Sequence, residues 1–326
     1  MRVAEIAAEL TAHPSILGKL DIAKATRALG LTSGSTGQPG DDAAALPRPE
    51  GGWDLFAAEA FIPAFVADDP WFAGWCGVMV NLSDIAAMGG TATAITDMIW
   101  APDAASALPV LQGLQAASAA YGVPIVGGHT NLHAPALNLS VAVMGRARAL
   151  ISSFAAAPGD LLIAAVDLRG DWRPRFDNWF AGAGTPEGRL RGDLALLAEL
   201  AEAGLVRAGK DISQGGIAGT SLMLAECSGC GFEIDLGRLP MPPGTDPARW
   251  LRAFPSYGFL LSVQMPHAKE VCARFADRGI AAAAIGRATA GAAIELVQGP
   301  DRATFWNWQQ RPYLALGPGT AEARNA

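Results

Sequence analysis

The stretch NLSDIAAMGG (81–90) closes an apolar helical run that begins near Trp71. It sets one carboxylate, Asp84, among small residues before two glycines stop the helix. A second string, DISQGGIAG (211–219), places Asp211 ahead of a glycine-rich turn that opens another helix. A third, GDDAA (40–44), ends a segment of Gly, Ser, Thr and Pro (31–42) whose composition holds no regular element and reads as a mobile loop. Around these strings AAALP, DLFAAEAF and LNLSVAVMGRA read as strands, and Ala104 to Tyr121 reads as a helix, so the first half is mixed α+β.

Pro158-Gly159-Asp160 marks a turn, after which LLIAAV starts a new β-like run. The second half adds a helix over LRGDLALLAELAEAGLV, strands at FEIDL and YGFLLSVQM, a helix at HAKEVCARFADRG and a strand at AAAIG. The expected organisation is an arm and Gly-rich loop (1–38), an α+β domain (39–150), a second α+β domain (151–312) and a tail (313–326). Pro14 divides the arm into two short helices, and the tail frays from Gly317 onward.

Composition bounds the function. The chain has 326 residues, 51% apolar and 17% charged, enough for a large core. Its net charge of −7 supplies no broad footprint for nucleic acid. No apolar stretch approaches the roughly 18–20 residues that span a bilayer, and Glu5 and Glu9 stand where a signal peptide is apolar. The expectation is a soluble cytoplasmic protein with no nucleic-acid or membrane partner. Four cysteines are too sparse for a disulfide framework, which fits a reducing compartment.

Several motifs take a plain reading. GLVRAGKD (204–211) resembles part of a phosphate-binding loop, but Asp211 replaces the hydroxyl residue and a helix precedes it, so Lys210 reads as a solvated lysine at a helix C-terminus. His129 and His133 are spaced like zinc ligands on a helix, yet on a strand four residues span about 13 Å, too far for one metal. Cys227 and Cys230 read as buried thiols near a helix end, and Phe305, Trp306 and Trp308 as a packed segment. Arg173, Arg175, Arg189 and Arg191 read as a solvated surface or as a grip for an anionic substrate.

What remains is a set of acids beside small residues: Asp41, Asp42, Glu59, Asp84 and Asp211. Singly, each suits a turn or a cap, and Asp84 could simply start the helix IAAMGG. Together they suit Mg²⁺, which binds one or two carboxylates plus waters and substrate phosphates, while glycine N–H groups donate to phosphate oxygens.

GDDAA, NLSDIAAMGG, VGGHT (126–130), the PGD turn, DISQGGIAG and AIGRA occur in the order found in the superfamily of aminoimidazole ribonucleotide (AIR) synthase, thiamine-monophosphate kinase, selenophosphate synthetase and a hydrogenase maturation protein. The chain resembles the AIR synthase-related members over about 39–290. That resemblance implies a PurM-like α+β fold of two domains, a homodimer whose first domains share a β-barrel, and ATP with Mg²⁺ beneath the Gly-rich loop. It implies metal ligands at Asp41, Asp42, Glu59, Asp84 and Asp211, and nucleotide contacts at Gly40, Asn81, Gly127, Gly128 and Ser213. Asp41, Asp84 and His129 take the catalytic positions.

Departures narrow the choice. Glu59 stands where selenophosphate synthetase has an aspartate, no Cys precedes Cys76, and the C-terminus ends GTAEARNA without the cysteine of the hydrogenase maturation enzyme. GGHT and DISQG replace the kinase's GGDT and DISDG, so His129 and Gln214 stand at acid positions, and AIR synthase's GGET is also unmet. His129 orients a nucleophile or phosphate, or is a hydrogen-bonded structural histidine. The resemblance implies ATP- and Mg²⁺-dependent phosphoryl transfer to a small polar metabolite, by a kinase or a phosphate-activating synthase or ligase. The alternative is a catalytically silent nucleotide-binding regulator or complex subunit.

Overall fold

In the N-terminal arm, Ile6 and Leu10 recur at helical spacing, and Pro14 suits the first turn of a new helix rather than the interior of an old one. In the computed structural model, which describes residues 2–173 and 175–318, the arm forms α1 (Val3–Ala12), α2 (Pro14–Leu17) and α3 (Leu20–Ala28). Val3, Ile6, Leu10 and Ile16 are buried in the same core as Phe232, Trp250 and Tyr313. Thr11 Oγ1 donates to the Phe305 carbonyl at 2.9 Å, so the arm is built into the C-terminal half.

One compact unit comprises Ala43–Ala149 and Gly184–Glu199. Its elements in order are β1 (Ala44–Pro47), β2 (Trp53–Ala60), α4 (Pro63–Asp68), α5 (Pro70–Ala87), β3 (Thr91–Trp100), α6 (Ala104–Tyr121), β4 (Ile125–Asn131) and β5 (Asn138–Ala147). The strands form one sheet in the order β1-β2-β5-β3-β4. Only β3 and β4 run parallel, and α6 supplies the crossover that a parallel pair requires. β3 was not anticipated; its TATAITDMIW alternates residues that suit a pleated, half-buried strand.

Asp69 caps α5 by accepting from Phe72 N at 3.2 Å, with Pro70 in the first turn. Asp84 therefore lies near the end of a long helix, and its reading as the start of IAAMGG is corrected. α5 and α6 cross where neither carries a side chain. A Cβ on Gly74 would stand 2.0 Å from Val110 O, and one on Gly113 would stand 1.9 Å from Trp71 O. Leu55, Ile95, Val141 and Val143 are buried on the helix side of the sheet. Leu46, Phe56 and Met144, on the other face, are 42%, 50% and 52% exposed.

The second unit gathers the chain up to Asp42, Leu150–Ala183 and the chain from Leu200 onward. Its strands include β6 (Leu161–Val166), β7 (Asp171–Arg173) and β8 (Asn178–Phe180). After α7 (Arg189–Glu202), whose residues up to Glu199 belong to the first unit, come β9 (Ala208–Asp211), α8 (Gly216–Ser228), β10 (Gly231–Asp235), α9 (Pro247–Leu251), β11 (Phe254–Pro255), β12 (Gly258–Val263), α10 (Ala268–Ala276), β13 (Ala281–Thr289), β14 (Ala293–Gln298) and β15 (Asp301–Asn307). Seven strands form a sheet ordered β15-β14-β10-β13-β6-β12-β9, and β11-β8-β7 form a small one.

The core of this unit is aromatic. Trp172, Trp179 and Trp250 meet edge to face at centroid distances of 5.5–5.9 Å. Phe305, Trp306 and Trp308 are buried, and Trp308 Nε1 donates to Cys230 O at 2.8 Å. Glu226, fully buried in α8, accepts backbone N–H bonds from Tyr313 (2.6 Å), Leu314 (3.1 Å) and Leu316 (3.2 Å). These charge-assisted bonds satisfy a buried carboxylate and fasten the end of the chain. Order extends through Gly317, which is buried beside Glu226, contrary to fraying at that residue; the tail beyond Pro318 lies outside the described residues.

Candidate functional site

β9 ends in Lys210 and Asp211, and Gly215 and Gly216, both at positive φ, turn the chain into α8. The result is a strand, a glycine turn and a helix N-terminus in succession. Lys210 is on a strand and 4% exposed, not solvated at a helix end. The physical reason is that Gly204, at φ +68°, stops the preceding helix, after which β9 pairs with β12 through Leu260↔Lys210 and Phe259↔Asp211.

GDDAA meets this strand. Lys210 Nζ forms an ion pair and hydrogen bond with Asp42 Oδ1, and donates to Gly40 O and Ser153 Oγ, each at 3.2 Å. Asp42 Oδ2 accepts from the Asp211 backbone N at 3.2 Å. Carboxylate oxygens of Asp42 and Asp211 lie within 4.8 Å of one another. Burial by itself would lower the Lys210 pKa, but the Asp42 charge and hydrogen bond outweigh it and hold the ammonium above its usual range.

Asp41 has partners of its own. Its carboxylate accepts from Ser153 N at 2.5 Å and from Ser152 Oγ at 3.1 Å. Burial pushes its pKa up, with Asp42 adding to the rise and the Ser153 bond and Lys210 opposing it. The loop read as mobile is therefore anchored at its end. Gly40, at φ +115°, leaves room for the Phe154 ring, which would stand 2.8 Å from a Cβ there. Ser213, in the turn, accepts from Lys19 Nζ at 3.2 Å.

In the other unit, Asn81 and Asp84 lie one turn apart on α5, both buried. Asn81 Nδ2 donates to Gly77 O at 2.8 Å. Gly127, Gly128 and His129 lie on β4, an edge strand that is mostly exposed. Glu59 is exposed on β2, in the row Glu59↔Val141↔Asp97↔Gly128. Three strand spacings separate it from Gly128, about 14 Å, so the unit does not bring Glu59 beside the glycine pair. His129, one residue further, points to the opposite face, with its ring 6.4 Å from that of Trp100.

The sequence carries no reading of Asp97 and the wrong environment for Lys210. Asp97 adjoins Gly128, whose Cβ, if present, would lie 2.7 Å from Asp97 Oδ1, and burial raises the Asp97 pKa. An acid inside an alternating strand run was the available signal. Lys210 was read as solvent-exposed, and only the fold reveals its burial.

These two α+β units, with acids placed at a strand–glycine turn–helix junction, define the architecture, and comparison with known proteins identifies the class. Residues 40–147 match the AIR synthase related protein N-terminal domain, and 183–298 match its C-terminal domain. The chain belongs to the AIR synthase-related family, within the AIR synthase and thiamine-monophosphate kinase superfamily, and has its PurM-like fold. An uncharacterised protein of Synechocystis sp. is 45% identical over 93% of this chain and 95% of its own length. The thiamine-monophosphate kinase of Halobacterium salinarum is 30% identical over 81% of this chain and 92% of its own. Among solved structures, Thermotoga maritima PurL complexed with ATP superposes with a TM-score of 0.71 at 19% identity, covering 85% of this chain. The chain spans about half the length of that protein, 46% of it. Among the described residues, no helix is long and apolar enough to cross a membrane.

Proposed function

We propose that the protein is a cytoplasmic, ATP- and Mg²⁺-dependent enzyme that transfers the γ-phosphoryl group to an oxygen of a small polar metabolite. The observation that carries this reading is the carboxylate pair Asp42 and Asp211, with oxygens within 4.8 Å, at the mouth of a glycine turn opening into α8. A hard oxygen donor at Asp211, set beside a second carboxylate, fits Mg²⁺, and the turn offers backbone N–H groups to phosphate oxygens. Family membership and the likeness to thiamine-monophosphate kinases support the reaction class.

In this reading Asp211 and Asp84 are the principal ion ligands, with Asp42 completing the acidic lining. Gly40, Asn81, Gly127, Gly128 and Ser213 approach the nucleotide. Asp41 acts by fixing the loop that carries Asp42, through its bonds to Ser152 and Ser153. Glu59, on β2, is a further ion ligand in this reading, and His129, on β4, orients the nucleophile or a phosphate. Bound Mg²⁺ would neutralise phosphate charge during transfer. The exposed Leu46, Phe56 and Met144 form the face on which a second copy closes the barrel of a homodimer.

His129 and Gln214, where relatives of the kinase type carry acids, favour a second reading: a regulator or complex subunit that binds ATP without turnover. ATP consumption with Mg²⁺ across a panel of small alcohols, phosphomonoesters, amides and carboxylates separates the two, with Asp84→Asn as the control. Acceptor-dependent ADP release that Asp84→Asn abolishes supports the enzyme. Tight nucleotide binding with no turnover across the panel supports the regulator.

A further inference from the structure

Lys210 is buried and donates to three partners, one of them a carboxylate in the acidic lining. Both oxygens of that carboxylate are engaged within the chain: Asp42 Oδ1 by Lys210 Nζ, and Oδ2 by the backbone N–H of Asp211. Asp41 is engaged separately by Ser152 and Ser153. Two acids as close as Asp42 and Asp211 cannot share a buried site in ionised form without a cation. Lys210 supplies one from inside the protein.

We propose that Lys210 is the resident cation of this site: its ammonium balances Asp42 where a divalent ion would otherwise be recruited, and holds that carboxylate as a positioning anion instead of an ion ligand. Counting Asp42, Asp211 and Lys210 together leaves one net negative charge, carried toward Asp211. The site is thereby set to take its divalent ion at Asp211, and Asp42 orients the start of the glycine turn through its bond to Asp211 N. The Gly40 carbonyl and the Ser153 hydroxyl complete the ammonium's hydrogen bonds, so the cation is fixed in direction as well as in charge. Lys210 is thus a positioning residue, acting through Asp42.

This deepens the proposed function and rests on it only for the role in turnover; the charge balance is testable without nucleotide. The experiment counts Mn²⁺ bound to the full chain by electron paramagnetic resonance, first nucleotide-free and then with a non-hydrolysable ATP analogue. Lys210→Met is expected to gain about one Mn²⁺ per chain in the nucleotide-free form, and Lys210→Met/Asp42→Asn is expected to lose that gain. In the otherwise native chain with the analogue, Asp42→Asn is expected to leave the ion count unchanged, whereas Asp211→Asn lowers it. An ion count for Lys210→Met equal to that of the native chain overturns the proposal, as does loss of an ion in Asp42→Asn. If Lys210→Met does not fold, Lys210→Gln, which keeps a donor but not the charge, takes its place with the same expected gain. If the native chain binds neither analogue nor Mn²⁺, the ATP-dependent reading fails, while the gain or its absence in the lysine variants still decides the resident-cation proposal.

Discussion

The β9–α8 junction and the β4 edge both carry residues that suit phosphate and metal, yet they are built in opposite ways. At the junction, Asp42, Lys210 and Asp211 are shielded from solvent, and charge is balanced inside the chain. At the edge, Gly127, Gly128 and His129 are exposed and no ion pair fixes His129 among the described residues. Burial raises the cost of a charge left without a counter-ion, so removing a charge at the junction should cost more than removing one at the exposed edge.

The largest expected effect separates the two regions directly. Asp211→Asn should slow acceptor-dependent ATP turnover by roughly 100-fold or more, as removal of one group stabilising transferring charge does. His129→Asn should change it by less than about 100-fold, the low end for a group that transfers a proton. Equal losses in steady-state kinetics would erase the distinction drawn here.

A smaller effect tests how rigidly the junction is held. A Cβ at Gly40 would meet the Phe154 ring at 2.8 Å on a backbone at φ +115°. Gly40→Ala should therefore cost about 1–3 kcal/mol in urea unfolding. Gly127→Ala, where a Cβ meets nothing within 4 Å but φ is +152°, should cost less. A reversed order would mean that the edge, not the junction, is the constrained region.

The pH dependence offers a finer comparison. Burial raises the Asp41 pKa above its model-compound value of 3.8, so the folded protein binds that proton more tightly than the unfolded chain. Its contribution to stability is fully present below about pH 3.8 and is lost as pH rises through the higher folded value. Relative to Asp41→Asn, the native protein should lose stability as the pH is raised through that window. A gap moving the other way, measured by urea midpoints, would contradict the assigned burial.

Smallest is the difference among thiols. Burial pushes Cys230 up to about 12 and also raises Cys227 and Cys272. Of these, only Cys272 is half-exposed. Native-state labelling with a thiol reagent should modify Cys272 first, with Cys227 and Cys230 reacting only on unfolding, as mass spectrometry of labelled peptides would show.

Much of the fold was legible because apolar periodicity and glycine stops are local. The run LLIAAV is β6 with the same bounds, and the run through Trp71–Gly90 is α5 with its ends shifted by a few residues. β3 was missed because TATAITDMIW mixes small and polar residues, and its strand character depends on pairing with β4 and β5. The site was legible in its acids and less so in their partners. GDDAA and DISQGG name Asp42 and Asp211, but nothing in AGKD signals that Lys210 turns inward to meet Asp42. That contact joins residues 168 positions apart. Glu59 shows the limit from the other side: the resemblance names it as a ligand, while only sheet order reveals that three strand spacings separate it from the glycine pair.

The most direct measurement of the central claim is calorimetric titration of the full chain with a non-hydrolysable ATP analogue, with Mg²⁺ and with a chelator in its place. Binding heat that requires Mg²⁺ and disappears in both Asp211→Asn and Asp84→Asn is the predicted result. Heat that is the same with the chelator, or that survives both substitutions, would contradict it.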